Sequence, residues 1–353
     1  MIRWREGVVR QVGRQWRGAT ELEVEMEGSP VVALAYTDEV GEPEVGDRVI
    51  LNATALLMGL GTGGYALVIA LPDRLPPDRP LEAGHLVKAR YSPMQSTVLG
   101  VDEQDSLDHA TISATDSIDG APVVIADLHS ALPAIVAGVR AERPTARVVY
   151  VMTDGAALPL AFSRNVAALV EDGWIAATIT VGQAYGGDVE AVSLHTGLLA
   201  ATHVLGADVV VVTQGPGNLG TGTKWGFSGV AAGDHVNAIA VLGGRPIASL
   251  RVSEGDTRSR HYGVSHHSLT AYGRVALLPA EIPVPVLPGE FGALVRDQAG
   301  QLAPRHRVVD VPVDGLAEAL GESPVPLSTM GRGVDVDAAP FLAAAAAGRH
   351  AAS

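Results

Sequence analysis

The chain has no cysteine among its 353 residues. That absence excludes disulfides, thiolate-held zinc, iron–sulfur clusters and a cysteine nucleophile, and it fits a cytoplasmic setting. Aromatic residues are scarce, 4% of the chain against 47% hydrophobic residues, so the interior must be filled by Ala, Val, Leu and Ile. Such an interior suits α/β layers, where buried parallel strands read as runs of Val and Ile. Long apolar runs are missing: stretches such as Val209–Val212 and Ala343–Ala347 are far too short to cross a bilayer. Met1–Gly7 has no apolar segment behind its basic residues, so no secretory signal is expected. Positive charge is also in deficit, with a net charge of -14. This argues against nucleic acid as the main partner, because phosphate binding draws most of its affinity from Lys and Arg.

What is present divides the chain in two. Between Glu6 and Leu71, β-rich runs alternate with turn residues: Gly7–Gln15, Glu21–Glu27, Val31–Tyr36, Arg48–Ala55 and Tyr65–Leu71. Five strands at this spacing predict a small OB-like or SH3-like barrel over residues 1–71. Strict alternation from Glu21 to Glu27 puts one face in water and the other in a core. The stretch from Leu71 to Pro80 gathers four prolines and four charged residues, which predicts a linker at 72–84.

Residues 85–330 then read as a doubly wound, mostly parallel α/β domain, followed by a tail at 331–353. Strands are expected at Val123–Asp127, Arg147–Thr153, Ile175–Val181, Asp208–Thr213 and Pro246–Val252, with a further candidate at Arg307–Val313. Helical spacing appears near Ala131–Glu142, Leu160–Asp172, Glu190–Leu205 and Gly229–Leu242, with Gly173 and Gly206 where a helix C-cap favours glycine. The segment Ala343–Gly348 reads as a frayed end.

In an open parallel sheet, ligands bind beyond the carboxyl ends of the strands. Those ends are polar here: Asp127 with His129, Thr153 with Asp154, Gly182 with Gln183, Thr213 with Gln214, and Ser253 to Asp256. If the first strand stays extended to His129, that ring and Asp127 face the same way, and a carboxylate beside an imidazole is a general-base pair or half a metal site.

Gln214 to Gly229 holds six glycines, two threonines and Lys224. Glycine loops that follow a buried strand let backbone N–H groups converge on an anion, so Gln214, Gly215, Gly217, Gly220, Thr221, Gly222 and Lys224 are candidate ligand-binding residues. The alternative is that the glycines only permit tight packing of a crossover. Gly215, Gly217 and Gly220 satisfy G-x-G-x-x-G, but Pro216 removes a donor and no acidic residue ends a second strand about twenty residues on. Thr223 rather than glycine precedes Lys224, so the chain also misses the P-loop pattern.

A third cluster runs from Arg258 to Ser268. Arg258 and Arg260 are candidates to clamp a carboxylate or phosphate, and His261, His266 or His267 to act as acid/base groups or metal ligands. Their spacing matches no metal motif, so no metal or cofactor is assigned. At the N-terminus, Arg3, Arg5, Arg10, Arg14 and Arg17 accompany Trp4 and Trp16, but Glu21, Glu23, Glu25 and Glu27 follow immediately.

With the glycine-rich stretch, the Asp127-Leu128-His129-Ser130 turn and the His261–His267 segment, the chain resembles an uncharacterised bacterial family, domain of unknown function 3866, seen in actinobacteria and Firmicutes. The likeness runs from the barrel to about Pro312. It implies a bacterial cytoplasmic setting and carries over no catalytic residue. From the residues themselves, the expected role is binding of an anionic or phosphorylated small molecule at the strand ends, with acid/base or metal-assisted chemistry upon it. The alternative is a non-catalytic regulatory or scaffold protein whose barrel recruits a macromolecule. An Ala-rich α/β protein is also compatible with homo-oligomers.

Overall fold

A computed structural model describes residues 1–61, 63–78 and 84–353. Residues 79–83 of the expected linker lie outside the described residues. The chain forms two compact units, Met1–Glu82 with Ala161–Ala167, and Ala83–Leu160 with Ala168–Ser353.

The first unit is a closed barrel of five strands: β1 (Trp4–Trp16), β2 (Ala19–Met26), β3 (Ser29–Tyr36), β4 (Arg48–Asn52) and β5 (Ala66–Ala70). Their order is β1-β2-β3-β5-β4, with β4 pairing back to β1 and β3 parallel to β5. The alternation of β2 works as expected, since Leu22, Val24 and Met26 are buried while Glu23 and Glu25 face water. The outer glutamates neutralise the basic strand beside them: Arg10 meets Glu25 at 2.7 Å and Arg5 meets Glu27 at 2.9 Å. Trp16 donates its indole N–H to the carbonyl of Ala161 at 2.6 Å, which ties the returning segment of this unit to the barrel.

The second unit opens with a short hairpin, β6 (Leu86–Lys88) and β7 (Ser96–Val98). Its sheet is built from β8 (Pro122–Ile125), β9 (Val148–Thr153), β10 (Ala177–Val181), β11 (Val189–Ala191), β12 (Val209–Gln214), β13 (Arg245–Ala248), and, after the antiparallel pair β14 (Val252–Ser253) and β15 (Gly263–Val264), β16 (Glu281–Pro285) and β17 (Arg307–Val311). The order is β11-β10-β9-β12-β8-β13-β16-β17, and every pairing is parallel. Val209 to Val212 are all at most 1% exposed. β-branched side chains with little χ1 freedom, covered on both faces, make this run a strand instead of a helix. At roughly 1.5–3 kcal/mol for each fully buried Val or Leu, these central strands contribute much of the drive to fold.

Strand order explains where the crevice lies. The chain leaves β8 for β9, passing over β12 by the helix Leu132–Glu142; it leaves β12 for β13, passing over β8 by the helix Ala232–Val241. Right-handed crossovers in opposite directions put these helices on opposite faces. The loops leaving β8 and β12 therefore part, and the gap between them opens just beyond the end of β8.

Two expectations need correction, and one strand was not foreseen. The Ala343–Gly348 segment is not frayed: it lies within the helix Ala339–Ala352, and Ala343 to Ala347 are at most 1% exposed. It packs on Leu132–Glu142 so closely that a Cβ at Gly138 would collide with the backbone of Ala345, and one at Gly348 with that of Ile135. A stripe of small residues carries no apolar-polar contrast, so its burial was hidden in the sequence. Glu190 belongs to β11, and helix starts only at Leu194. Beyond Pro279 the chain adds β16, whose Pro283 and Pro285 alternate so that the missing N–H groups fall on one edge, while pairing with β13 is confined to Ile247 with Glu281.

Candidate functional site

Asp127 is the pivot of the site. It stands two residues beyond the end of β8, is 4% exposed, and lines two cavities. The first lies towards the segment after β13 and includes Ser130, Ser249, Arg251, Asp256 and Arg332. The second lies towards β9 and β12 and includes Thr153, Asp154, Gln214, Ser228 and His235. Gly229, in the second cavity's wall, packs tightly on Asp127: a Cβ there would meet the Asp127 carbonyl oxygen and Cβ at 2.9 Å.

The expected pairing of Asp127 with His129 does not form. The chain enters a tight helical turn at His129, so strand alternation ends before it. The buried His129 ring instead shares a hydrogen bond with Tyr150 Oη at 3.0 Å, and Tyr150 Oη shares one with Thr213 Oγ1 at 2.9 Å. Burial pushes the imidazole down to about 4. Asp127 has a different imidazole: its Oδ2 stands 3.7 Å from Nδ1 of His267 and 4.0 Å from Nη1 of Arg251. Arg251 Nη1 in turn lies 3.2 Å from His267 Nδ1.

The three histidines of the third cluster converge. His261 ends a tight turn after β14, and Ser265 caps the short helix His266–Thr270, its Oγ accepting from the backbone N–H of His267 at 3.2 Å. The same Oγ lies 2.7 Å from Nδ1 of His261, which fixes that ring. Phe227, at the end of the glycine-rich loop, stacks on His267 with centroids 3.8 Å apart. His261 is pushed down to about 3 by burial and by the guanidinium charges of Arg251 and Arg258. His266 falls to about 4, again by burial first and then by its cationic neighbours.

The glycine-rich loop folds mainly on itself. Thr221 N–H donates to Gly226 O, Gly226 N–H to Thr223 Oγ1, and Ser228 N–H to Leu219 O. Asn218 Oδ1 collects Ser228 Oγ, Gly229 N–H and Gln214 Nε2. Those donors are engaged within the loop. Gly217 and Gly222 hold positive φ, 102° and 77°, while Gly215 is pressed against the carbonyl of Ala157. Gly220, Thr221, Gly222 and Lys224 are exposed and line neither cavity. Arg260 is exposed beside Gly222, and Arg258 is held bidentately by Asp256 at 2.8 and 2.6 Å. That clamp holds the Asp256 carboxyl well below its usual range. Asp154 accepts the backbone N–H of Gln183 at 2.9 Å and borders the second cavity.

Three further residues carry charge or polarity that sequence reading passed over. Arg251 sits inside a stretch that reads as the end of a buried strand; a guanidinium in an apolar run was the available signal. His235, in the first turn of its helix, borders the second cavity, and burial pushes it down to about 4. Lys88 is fully buried, donating to the carbonyls of Gly182, Ala184 and Ala191 at 2.9–3.1 Å and pairing in charge with Glu190 at 3.2 Å.

Among the described residues, ten buried side-chain atoms have no hydrogen-bond partner, and four of them belong to Asp127, Gln214, His235 and His266. Three of these residues, Asp127, Gln214 and His235, line the second cavity, and unpaired polar atoms are costly in a native interior.

A family described as "Protein of unknown function (DUF3866)" matches residues 32–348 of the chain. No curated protein and no solved structure matches it. No helix among the described residues is long and apolar enough to cross a membrane.

Proposed function

The chain belongs to the DUF3866 family, and we propose that its crevice around Asp127 binds a small anionic molecule, a carboxylate or phosphate, with Arg251 as the counter-charge. The observation that carries this reading is the state of Arg251. Its side chain is 9% exposed, it borders the first cavity, and among the described residues its guanidinium makes one hydrogen bond, to His267. A guanidinium has five N–H donors in a fixed fork, and none of the Arg251 nitrogens is among the buried atoms without a partner, so its remaining donors are open to the cavity it lines. A bidentate anion entering the cavity satisfies them. Arg332, which lines the cavity, is already committed to Asp256 and Asp337, and Arg258 to Asp256, so neither competes for the anion.

The neighbouring Asp127 and His267 supply proton chemistry. With Arg251 drawn to the ligand, Nδ1 of His267 turns to Asp127, and a carboxylate behind an imidazole orients that ring as a base. A thermal-shift panel of phosphorylated and carboxylated metabolites tests the reading. Wild-type protein is expected to be stabilised by at least one of them and Arg251→Met protein by none. Equal stabilisation of both proteins, or none of either, overturns it.

A further inference from the structure

We infer that His261, His266 and His267 form a binding site for a divalent transition-metal ion of the zinc type, with Asp127 orienting His267 from behind. One ring nitrogen from each of the three lies within 4.8 Å of the others, and among the described residues no other group of three potential ligands gathers in this way. The ring centroids are 5.0, 5.0 and 4.4 Å apart. Three imidazoles leave one tetrahedral position open, which is the pattern of zinc sites that hold water or substrate. Nitrogen donors without thiolates suit zinc, cobalt and nickel, whereas the oxygen-rich shells of magnesium and calcium are missing from the cluster.

The rings are held as ligands need to be. His261 is anchored through Nδ1 by Ser265 Oγ at 2.7 Å, so its Nε2 is the nitrogen left for a metal. Ser265 is itself fully buried and caps the helix that carries the other two rings. Nε2 of His266 is buried with no hydrogen-bond partner. A donor atom kept dry and unpaired is explained by an ion that takes its lone pair. His267 is backed by a carboxylate, since Oδ2 of Asp127, another orphaned atom, stands 3.7 Å from its Nδ1. Ligation through Nε2 requires the proton on Nδ1, and closing that gap by about 1 Å makes the carboxylate–imidazole–metal arrangement that tunes zinc ligands. In that tautomer Nδ1 no longer accepts from Arg251, so metal binding also frees the guanidinium.

Three cations oppose the site, Arg251, Arg258 and Arg260; Asp127 and Asp256 face the first two at 4.0 and 2.6 Å. The local charge is therefore offset only in part, and coordination by nitrogen lone pairs does not rely on a negative field.

With its Nε2 lone pair on the metal, His267 no longer serves as a base, and the anion reading then rests on Arg251 alone. The two are tested separately: zinc is titrated into full-length protein without phosphate, and Arg251→Met probes the anion. Chelator-stripped wild type is expected to bind one zinc per chain and to show the visible bands of tetrahedral cobalt(II) when cobalt is substituted. Asp127→Asn is expected to weaken zinc by about 10–100-fold. His261→Gln and His266→Gln weaken it further, while exposed His85→Gln leaves it unchanged. Circular dichroism and cooperative unfolding establish that each variant is folded. Absence of stoichiometric zinc in wild type overturns the site. So does undiminished zinc affinity in a folded His261→Gln, His266→Gln or Asp127→Asn protein.

Discussion

The Asp127 carboxylate, just beyond β8, and the His267 imidazole, in the short helix after β15, stand 3.7 Å apart. Arg251 completes the triangle at 4.0 Å from the carboxylate and 3.2 Å from the imidazole. All three side chains are largely buried, so their charges are weakly screened and each depends on the others. Asp127→Asn keeps the shape and removes the charge, and it is expected to cost about 1–3 kcal/mol in urea unfolding. The Asp127→Asn/Arg251→Met double variant should show a coupling energy above about 0.5 kcal/mol. Strict additivity of the two changes would show that the triangle is only a coincidence of packing.

Lys88 offers a sharper stability test. Its ammonium is fully buried among three carbonyls and Glu190. Lys88→Met leaves the Glu190 carboxylate uncompensated, with an expected loss of about 3–5 kcal/mol. Adding Glu190→Gln should recover part of that loss, because the orphaned charge is gone. Unfolding free energies of the two variants decide it: equal losses would mean that the pair does not act as a unit.

At Gly138 the helices Leu132–Glu142 and Ala339–Ala352 touch backbone to backbone. Gly138→Val drives a branched side chain into the Ala345 carbonyl, and the resulting overpacking is expected to cost about 1–3 kcal/mol or more. A melting temperature that stays at the wild-type value for Gly138→Val would contradict the close approach.

Acid sensitivity should follow from His129. Its ordinary value near 6.5 is pushed down to about 4 by burial. Between those values the unfolded chain holds a proton that the folded chain refuses, so stability is full above about pH 6.5 and is lost as pH falls towards about 4. Between pH 7 and 5 this ring alone accounts for about 2 kcal/mol. His129→Gln keeps a hydrogen-bonding group without a titrating one. Its unfolding free energy should therefore fall less than that of wild type between pH 7 and 5 by about that amount. Parallel curves for the two proteins would sink the assignment.

Much of the architecture is written in local pattern. The glutamate alternation of β2, the valine runs of β9 and β12 and the glycines at 173 and 206, which take φ of 68° and 61°, act through near-neighbour sterics and burial period. Those rules operate within a few residues, so they survive without a partner in view. The polar strand ends were legible for the same reason: a parallel sheet must release its chains at one edge.

What faces what at that edge was decided only by the tertiary structure. Asp127 takes His267 and not His129, because a tight turn begins at His129 and strand order brings the segment after β13 alongside. Arg251 becomes the central cation, because Asp256 already holds Arg258. The alanine helix at the C-terminus is buried, because its partner presents glycine where the two backbones meet. Each of these outcomes depends on contacts between distant segments, and composition and periodicity describe one segment at a time.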